Sequence, residues 1–278
     1  MGRIAFILAA VFLALSAVIV LAQENEPGAP ASLPAAVRSQ ADCAGFIAET
    51  PVARNLSVVG GADDDFRSTV RQFVEGESIF ISQRGKGDIA VGSEYRVVRP
   101  GKEIFRTTHY QGQGADLKKL GKPYEDIAKI QVTRVGPEGA VAKIVFSCQP
   151  IVPGDALVPF QPRAVPQYTV TKPLAQFIPL DKYKQYGRIT ASPNNSGSFG
   201  RETIVYVDLG ERQGNLPGRR LRIYKVLPPE KTGFMTGQRT PPETVGEAIV
   251  LSVEWKSCVA MIVSSYREIS VGDYVELE

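Results

Sequence analysis

One histidine, three cysteines, an acidic triplet, a dense basic run and two Gly-Asp pairs are the groups in this 278-residue chain able to do chemistry. His109 stands in Arg106-Thr107-Thr108-His109-Tyr110-Gln111. A Ser-His-Asp triad would have to use it, and no Gly-x-Ser-x-Gly elbow accompanies it. It reads as a solvent-exposed loop histidine. Zinc needs about four N, S or O ligands. One histidine and three scattered cysteines have no metal spacing. Asp63-Asp64-Asp65 lacks the alternating acids, the glycine and the closing glutamate of a calcium loop. It reads as the cap of a helix with Phe66, Val70, Phe73 and Val74 on one face. Gly197-Ser198-Phe199-Gly200-Arg201 lacks the Lys-Ser/Thr of a phosphate loop. No catalytic, metal or cofactor-binding residue is assigned, and no cofactor is expected.

Gly154-Asp155 and Gly272-Asp273 each follow an apolar stretch and precede a strand pattern. Glycine permits the positive φ of a tight turn, and aspartate can accept backbone N–H groups inside it. These pairs, with Gly92 and Gly218, are read as structural turns. Arg219, Arg220, Arg222 and Lys225 form the densest basic group. On a strand, Arg220, Arg222 and Tyr224 share one face. That face is either an anion- or glycan-binding surface or an ordinary solvated sheet face. Tyr206, Tyr224, Trp255, Tyr266 and Tyr274 either stack on sugars or serve strand packing.

The cysteines depend on the compartment. Arg3, the uncharged run Ile4 to Val20 and the segment Val20-Leu21-Ala22 form a secretory signal peptide over residues 1–22, cleaved after Ala22. The alternative is a retained membrane anchor, since the run is about long enough to span a bilayer. In an oxidising compartment three cysteines imply one disulfide and one free thiol. Cys258 lies inside an apolar run and reads as a core residue. Cys148 follows a strand, and Cys43 lies in an extension that gains from being pinned. Cys43–Cys148 is the favoured pair, with three free thiols as the alternative. Without residues 1–22 the chain holds 31 basic and 29 acidic residues, a net of +2. That balance offers no electrostatic case for nucleic acid.

The elements that must position these groups are short β-strands. Residues 23–40, rich in Pro, Ala, Ser and Glu, read as a disordered tether. A short helix is expected around Cys43 to Ala48. Pro159, Pro162, Pro166, Pro173 and Pro179 prevent helix and central strand over 159–186, which reads as a linker. The flanking halves, 41–158 with its N-terminal extension and 187–278, are copies. Residues 126–158 align with 244–276 without a gap and with ten identities, Val141/Val259, Ile144/Ile262, Gly154/Gly272 and Asp155/Asp273 among them. Upstream, Ile79-Phe80-Ile81-Ser82 is matched to Ile204-Val205-Tyr206-Val207, and Gly92 to Arg99 to Gly218 to Lys225. Variable excursions fill 100–125 and 227–243. Many short strands with glycine turns suggest a small closed or nearly closed barrel in each half.

The strings VYVDLGERQGNLPGRRLRIYKV and VGEAIVLSVEWKSCVAMIVSSYREISVGDYVELE resemble the C-terminal domain of the flagellar assembly protein T family. There, a strand ending in NLG, a G…G turn, a VGE strand and a terminal VGD-x-V recur in this order. The resemblance covers 202–278, and 77–158 more loosely through the duplication. It implies a small β-barrel domain, here duplicated, in a periplasmic, ring-associated protein without enzyme activity.

The expectation is therefore a mainly β protein of two tandem barrel-like repeats joined by a Pro-rich linker. Its expected role is that of a non-enzymatic, periplasmic or secreted cell-envelope protein acting in protein binding or assembly. Binding to cell-wall glycan (peptidoglycan) is the first alternative, favoured by the avidity of linked sites. An enzyme of unknown class is the second. The expected partner is another envelope protein or a cell-wall component, with no nucleic acid, and a membrane only if the signal segment is retained.

Overall fold

The computed structural model of the chain describes residues 32–62, 72–83, 89–101, 107–169, 173–182, 184–193, 195–226 and 241–278. It begins with ordered structure where a tether was expected. Strand β1 (Ser32–Pro34) pairs with residues 167–169, and helix α1 (Arg38–Asp42) follows, so 32–40 are not tether. The expected helix around Cys43 to Ala48 is also corrected. The helix ends at Asp42, Gly45 has φ +69°, and Phe46–Ala48 form strand β2. A helix cannot continue through that glycine conformation.

The first barrel comprises β3 (Leu56–Gly61), β4 (Ser78–Gln83), β5 (Glu94–Pro100), β6 (Lys122–Gly136), β7 (Gly139–Ser147) and β8 (Ala156–Pro159). It closes in the order β3-β4-β7-β6-β5-β8, with every pairing antiparallel, and β2 adds to β6. Within the expected excursion, α2 (Gln113–Leu120) precedes β6. The linker carries the short β9 (Gln167–Thr169), partner of β1. The second barrel comprises β10 (Tyr186–Ala191), β12 (Ile204–Val207), β13 (Arg220–Lys225), β14 (Glu243–Val253), β15 (Cys258–Ser265) and β17 (Tyr274–Leu277). Its order is β10-β12-β15-β14-β13-β17, the same topology, and β11 (Ser198–Phe199) pairs with β16 (Ile269–Ser270) beside it. The mainly β fold with two tandem barrels is the expected one, and each barrel is closed and six-stranded.

The ladders make the duplication exact in register, with one correction. Ile79 pairs with Ala142 while Val205 pairs with Ala260, so Ile79 corresponds to Val205 and not to Ile204. The one-residue slip matters because it exchanges inward and outward faces. With it removed, inward residues coincide: Phe73 with Phe199, Ile79 with Val205, Val97 with Ile223, Ile144 with Ile262 and Leu157 with Val275. These side chains fill both barrel interiors. Phe73 sits in a β-bridge with Ile151 and is not helical; Phe66 and Val70 lie outside the described residues.

Candidate functional site

Both Gly-Asp turns are built alike. Val152 N–H donates to Asp155 Oδ2 at 2.9 Å, and Ser270 N–H donates to Asp273 Oδ2 at 2.7 Å. Gly154 and Gly272 hold φ near +92° and +101°, where other residues are strained. A cation at the end of β13, or one residue before the end of β5, then pairs with the aspartate. Arg99 is bidentate to Asp155 at 2.8 and 2.7 Å, and Lys225 lies 3.6 Å from Asp273. The hydrogen bond to Asp155 holds the Arg99 guanidinium above its ordinary pKa, whereas burial pushes the Asp273 carboxyl up. Gly92 and Gly218 also match, each donating to the equivalent valine carbonyl, Val132 or Val250, at 2.8 Å. Among the described residues no three His, Cys, Asp or Glu side chains gather as metal ligands.

Cys43 and Cys148 form a disulfide, and Cys258 is a buried free thiol. Cys258 occupies the inward position held by Ala140 in the first barrel, and burial raises its thiol pKa to about 12. It is a small core residue, inert as a nucleophile.

The proposed face of Arg220, Arg222 and Tyr224 points outward as alternation requires, yet it is not a free surface. The linker crosses it: Thr244 N–H donates to Gln176 O, and Arg222 Nη2 donates to Ile178 O at 2.8 Å. Arg222 is 0% exposed and pairs with buried Glu276 at 2.8 Å, while its Nε donates to Thr244 Oγ1. Tyr224 is buried, and Arg220 pairs with Glu247 at 3.1 Å. The proline-rich segment thus covers a face that strand alternation alone assigned to solvent.

Tyr206, Tyr224 and Tyr274 are likewise engaged, whereas Trp255 and Tyr266 are exposed. Tyr224 stacks on Tyr274 with ring centroids 5.6 Å apart. Arg188 lies 4.6 Å from the Tyr274 ring and 4.8 Å from the Tyr110 ring. The result is a four-member stack whose inner faces are occupied by one another. Tyr110 belongs to the first half of the chain, so the stack pins its excursion to the second barrel. His109 is part-buried rather than exposed: its Nε2 is 3.2 Å from the Asn195 carbonyl oxygen.

The barrels meet at a polar junction that sequence reading missed. Buried Asp126 accepts from Gly45 N–H at 2.8 Å and from Arg163 Nη1 at 2.5 Å. Arg96 Nη1 lies 3.4 Å from Asp126 Oδ1, an ionic approach without hydrogen-bond geometry, and Arg96 Nε has no partner among the described residues. Burial lowers the Arg96 pKa against the opposing pull of Asp126, and burial raises that of nearby Glu254. These residues lie far apart in sequence, so no local spacing marks them.

The largest asymmetry is on the outer walls. Tyr206, Ile249, Leu251, Val259, Met261 and Val263 point out of the second barrel and are buried against Ala35, Ala36, Ala44, Ile47, Leu117 and Leu120. Tyr206 donates to the Ala44 carbonyl at 3.1 Å, and a side chain at Gly45 would collide with the tyrosine hydroxyl. In the first barrel the equivalent wall carries Phe80, Gln131, Thr133, Val141, Lys143 and Val145. There Phe80 and Val145 are exposed, and a groove of about 410 Å³ is lined by Val59, Phe80, Arg134, Val135 and Val141. This groove is the candidate functional site. The outward half of the repeat alignment, once in register, was the signal that could have found it. No family model matches the chain, and no curated protein matches it.

Proposed function

We propose that this chain is an exported, non-enzymatic cell-envelope protein, periplasmic or secreted, that binds or assembles other proteins through the outer walls of its two barrels. The observation that carries this reading is how the barrels are used. Their interiors are filled by side chains, and the outer wall of the second already grips a strand-and-helix segment. A barrel with no lumen binds with its surface. Export is supported by the pattern of residues 1–22 and by the Cys43–Cys148 disulfide. Among the described residues no helix is long and apolar enough to cross a membrane. The pattern resembling the flagellar assembly protein T family falls on the second barrel, which favours an assembly role. The glycan reading has less support, because Tyr274 and Tyr224 spend their ring faces on each other and on Arg188 and Arg222.

Crosslinking in intact envelopes, paired with sedimentation on isolated peptidoglycan, tests the reading. Discrete protein adducts and no co-sedimentation at low salt are expected. Recovery as a free monomer that sediments with the wall would overturn it.

A further inference from the structure

The chain contains its own precedent for what its barrel wall recognises. On the second barrel, the outward aromatic of β12, Tyr206, is roofed by the backbone of Ala44-Gly45. Ile47 and the α2 residues Leu117 and Leu120 fill in beside it. The wall holds a short apolar segment with small residues where the backbone comes close. At the same register of the first barrel, Phe80 stands beside the buried Val141, has no such roof among the described residues and is 40% exposed. Val59, 55% exposed, and Val135 continue the apolar floor. An apolar floor of this kind on an otherwise polar wall marks an interaction surface.

Charge distinguishes the two walls. Lys143 replaces Met261 on the first barrel, and Arg134 stands beside the groove where β14 carries Ser252. Among the described residues neither cation has an acidic partner, and the only acid lining the groove is Glu138 at the hairpin tip. The occupant therefore needs apolar residues for the floor and carboxylates for Arg134 in the groove and for Lys143 on the wall beside it. This chain's own roofing segments cannot supply it. Ala35 to Ile47 and α2 are committed to the second barrel, and Cys43–Cys148 ties the former in place. The same commitment removes them in a second copy.

We propose that the groove at Phe80 seats a short apolar segment, flanked by Asp or Glu, from a different protein. This inference rests on the protein-binding reading above and names the face and the partner chemistry. The test uses the full chain in the cells that express it. The photocrosslinker p-benzoylphenylalanine replaces Phe80, and separately Trp255, an exposed residue on the second barrel. Crosslinked peptides are identified by mass spectrometry. The expected result is a discrete heterologous adduct at position 80 whose linked peptide is apolar with an acidic flank. Arg134→Glu with Lys143→Glu should cut its yield about tenfold or more, because like charges then face each other. Lys143→Arg should leave it intact, and thermal melts verify that each variant folds.

An adduct to another copy, a basic linked peptide, or a yield indifferent to charge reversal would each sink the proposal. Adducts from position 255 alone would discard this face while keeping the protein-binding reading. Absence of protein adducts from both positions would discard both.

Discussion

Where β12 of the second barrel carries Tyr206, β4 of the first carries Phe80; one is 1% exposed and the other 40%. The same holds along the neighbouring strand, where Val263 is buried and Val145 is open. Yet the inward residues of the two barrels coincide position by position. The closed barrel is specified from inside, and its outer wall is free to be used differently in each copy. In the second copy both faces of β15 are apolar because both are covered, so Cys258, Val259, Ala260, Met261, Ile262 and Val263 run without alternation. In the first, β7 alternates from Ala142 to Val145, with Lys143 and Val145 open, while the outward Val141 is buried.

The sharpest way to break this comparison is at the buried charges. Arg222→Met leaves the Glu276 charge buried without its cation, although the Tyr186 hydroxyl still donates to it, and should cost about 3–5 kcal/mol. Arg96→Met, at the equivalent position, should cost clearly less, because Asp126 keeps Arg163 and the Gly45 N–H. Equal losses in paired denaturant titrations would contradict the assignment of different coats to the two barrels.

Next in size is the wall itself. Tyr206→Ala should lose about 3–5 kcal/mol, the usual range for a buried aromatic. Phe80→Ala should lose about 1 kcal/mol or less, since much of its surface is already in water. A loss at Phe80 as large as at Tyr206 would mean that the first wall is covered by the chain too.

The turns separate the copies more gently. Gly154→Ala and Gly272→Ala both force a side chain into positive φ, at about 1–2 kcal/mol each. Gly272→Ala should be the worse, because its new methyl would lie 3.2 Å from the Tyr110 ring, whereas Gly154 faces open space. Thermal melts of the two variants should differ in that order.

The smallest effect is a pH dependence at the junction. Burial raises the Glu254 pKa above its ordinary value of 4.5. Protonation therefore favours the fold. That contribution is fully present below pH 4.5 and is lost as pH rises through the raised folded value. Glu254→Gln should thus stabilise the protein slightly at pH 7, with the gain shrinking toward pH 4.5. Destabilisation at pH 7 would show that attraction to Arg163 and Arg96 outweighs burial.

Some of the candidate site was legible before the fold was known. The duplicated turns, the Cys43–Cys148 pair and Cys258 as a core residue followed from local pattern and compartment chemistry. The face of Arg220, Arg222 and Tyr224 was read with the right alternation and the wrong surroundings, because a proline-rich segment says nothing of where it lies. Helix α2 escaped because it has only two long apolar residues, Leu117 and Leu120, and becomes half-buried only by docking on the second barrel. The groove at Phe80 stayed hidden behind a one-residue slip in the upstream alignment, which put Phe80 opposite an inward valine.

By itself the sequence determined what short-range physics can encode. Alternation chose the inward residues, glycine and aspartate shaped the turns, and repetition of both made two barrels of one topology. Only the tertiary structure decided which outer walls are covered. That choice depends on contacts such as Tyr206 with Ala44, 162 residues apart, whose energy no local spacing records. Burial of Arg222, the occupied tyrosine faces and the open groove on the first barrel all follow from it.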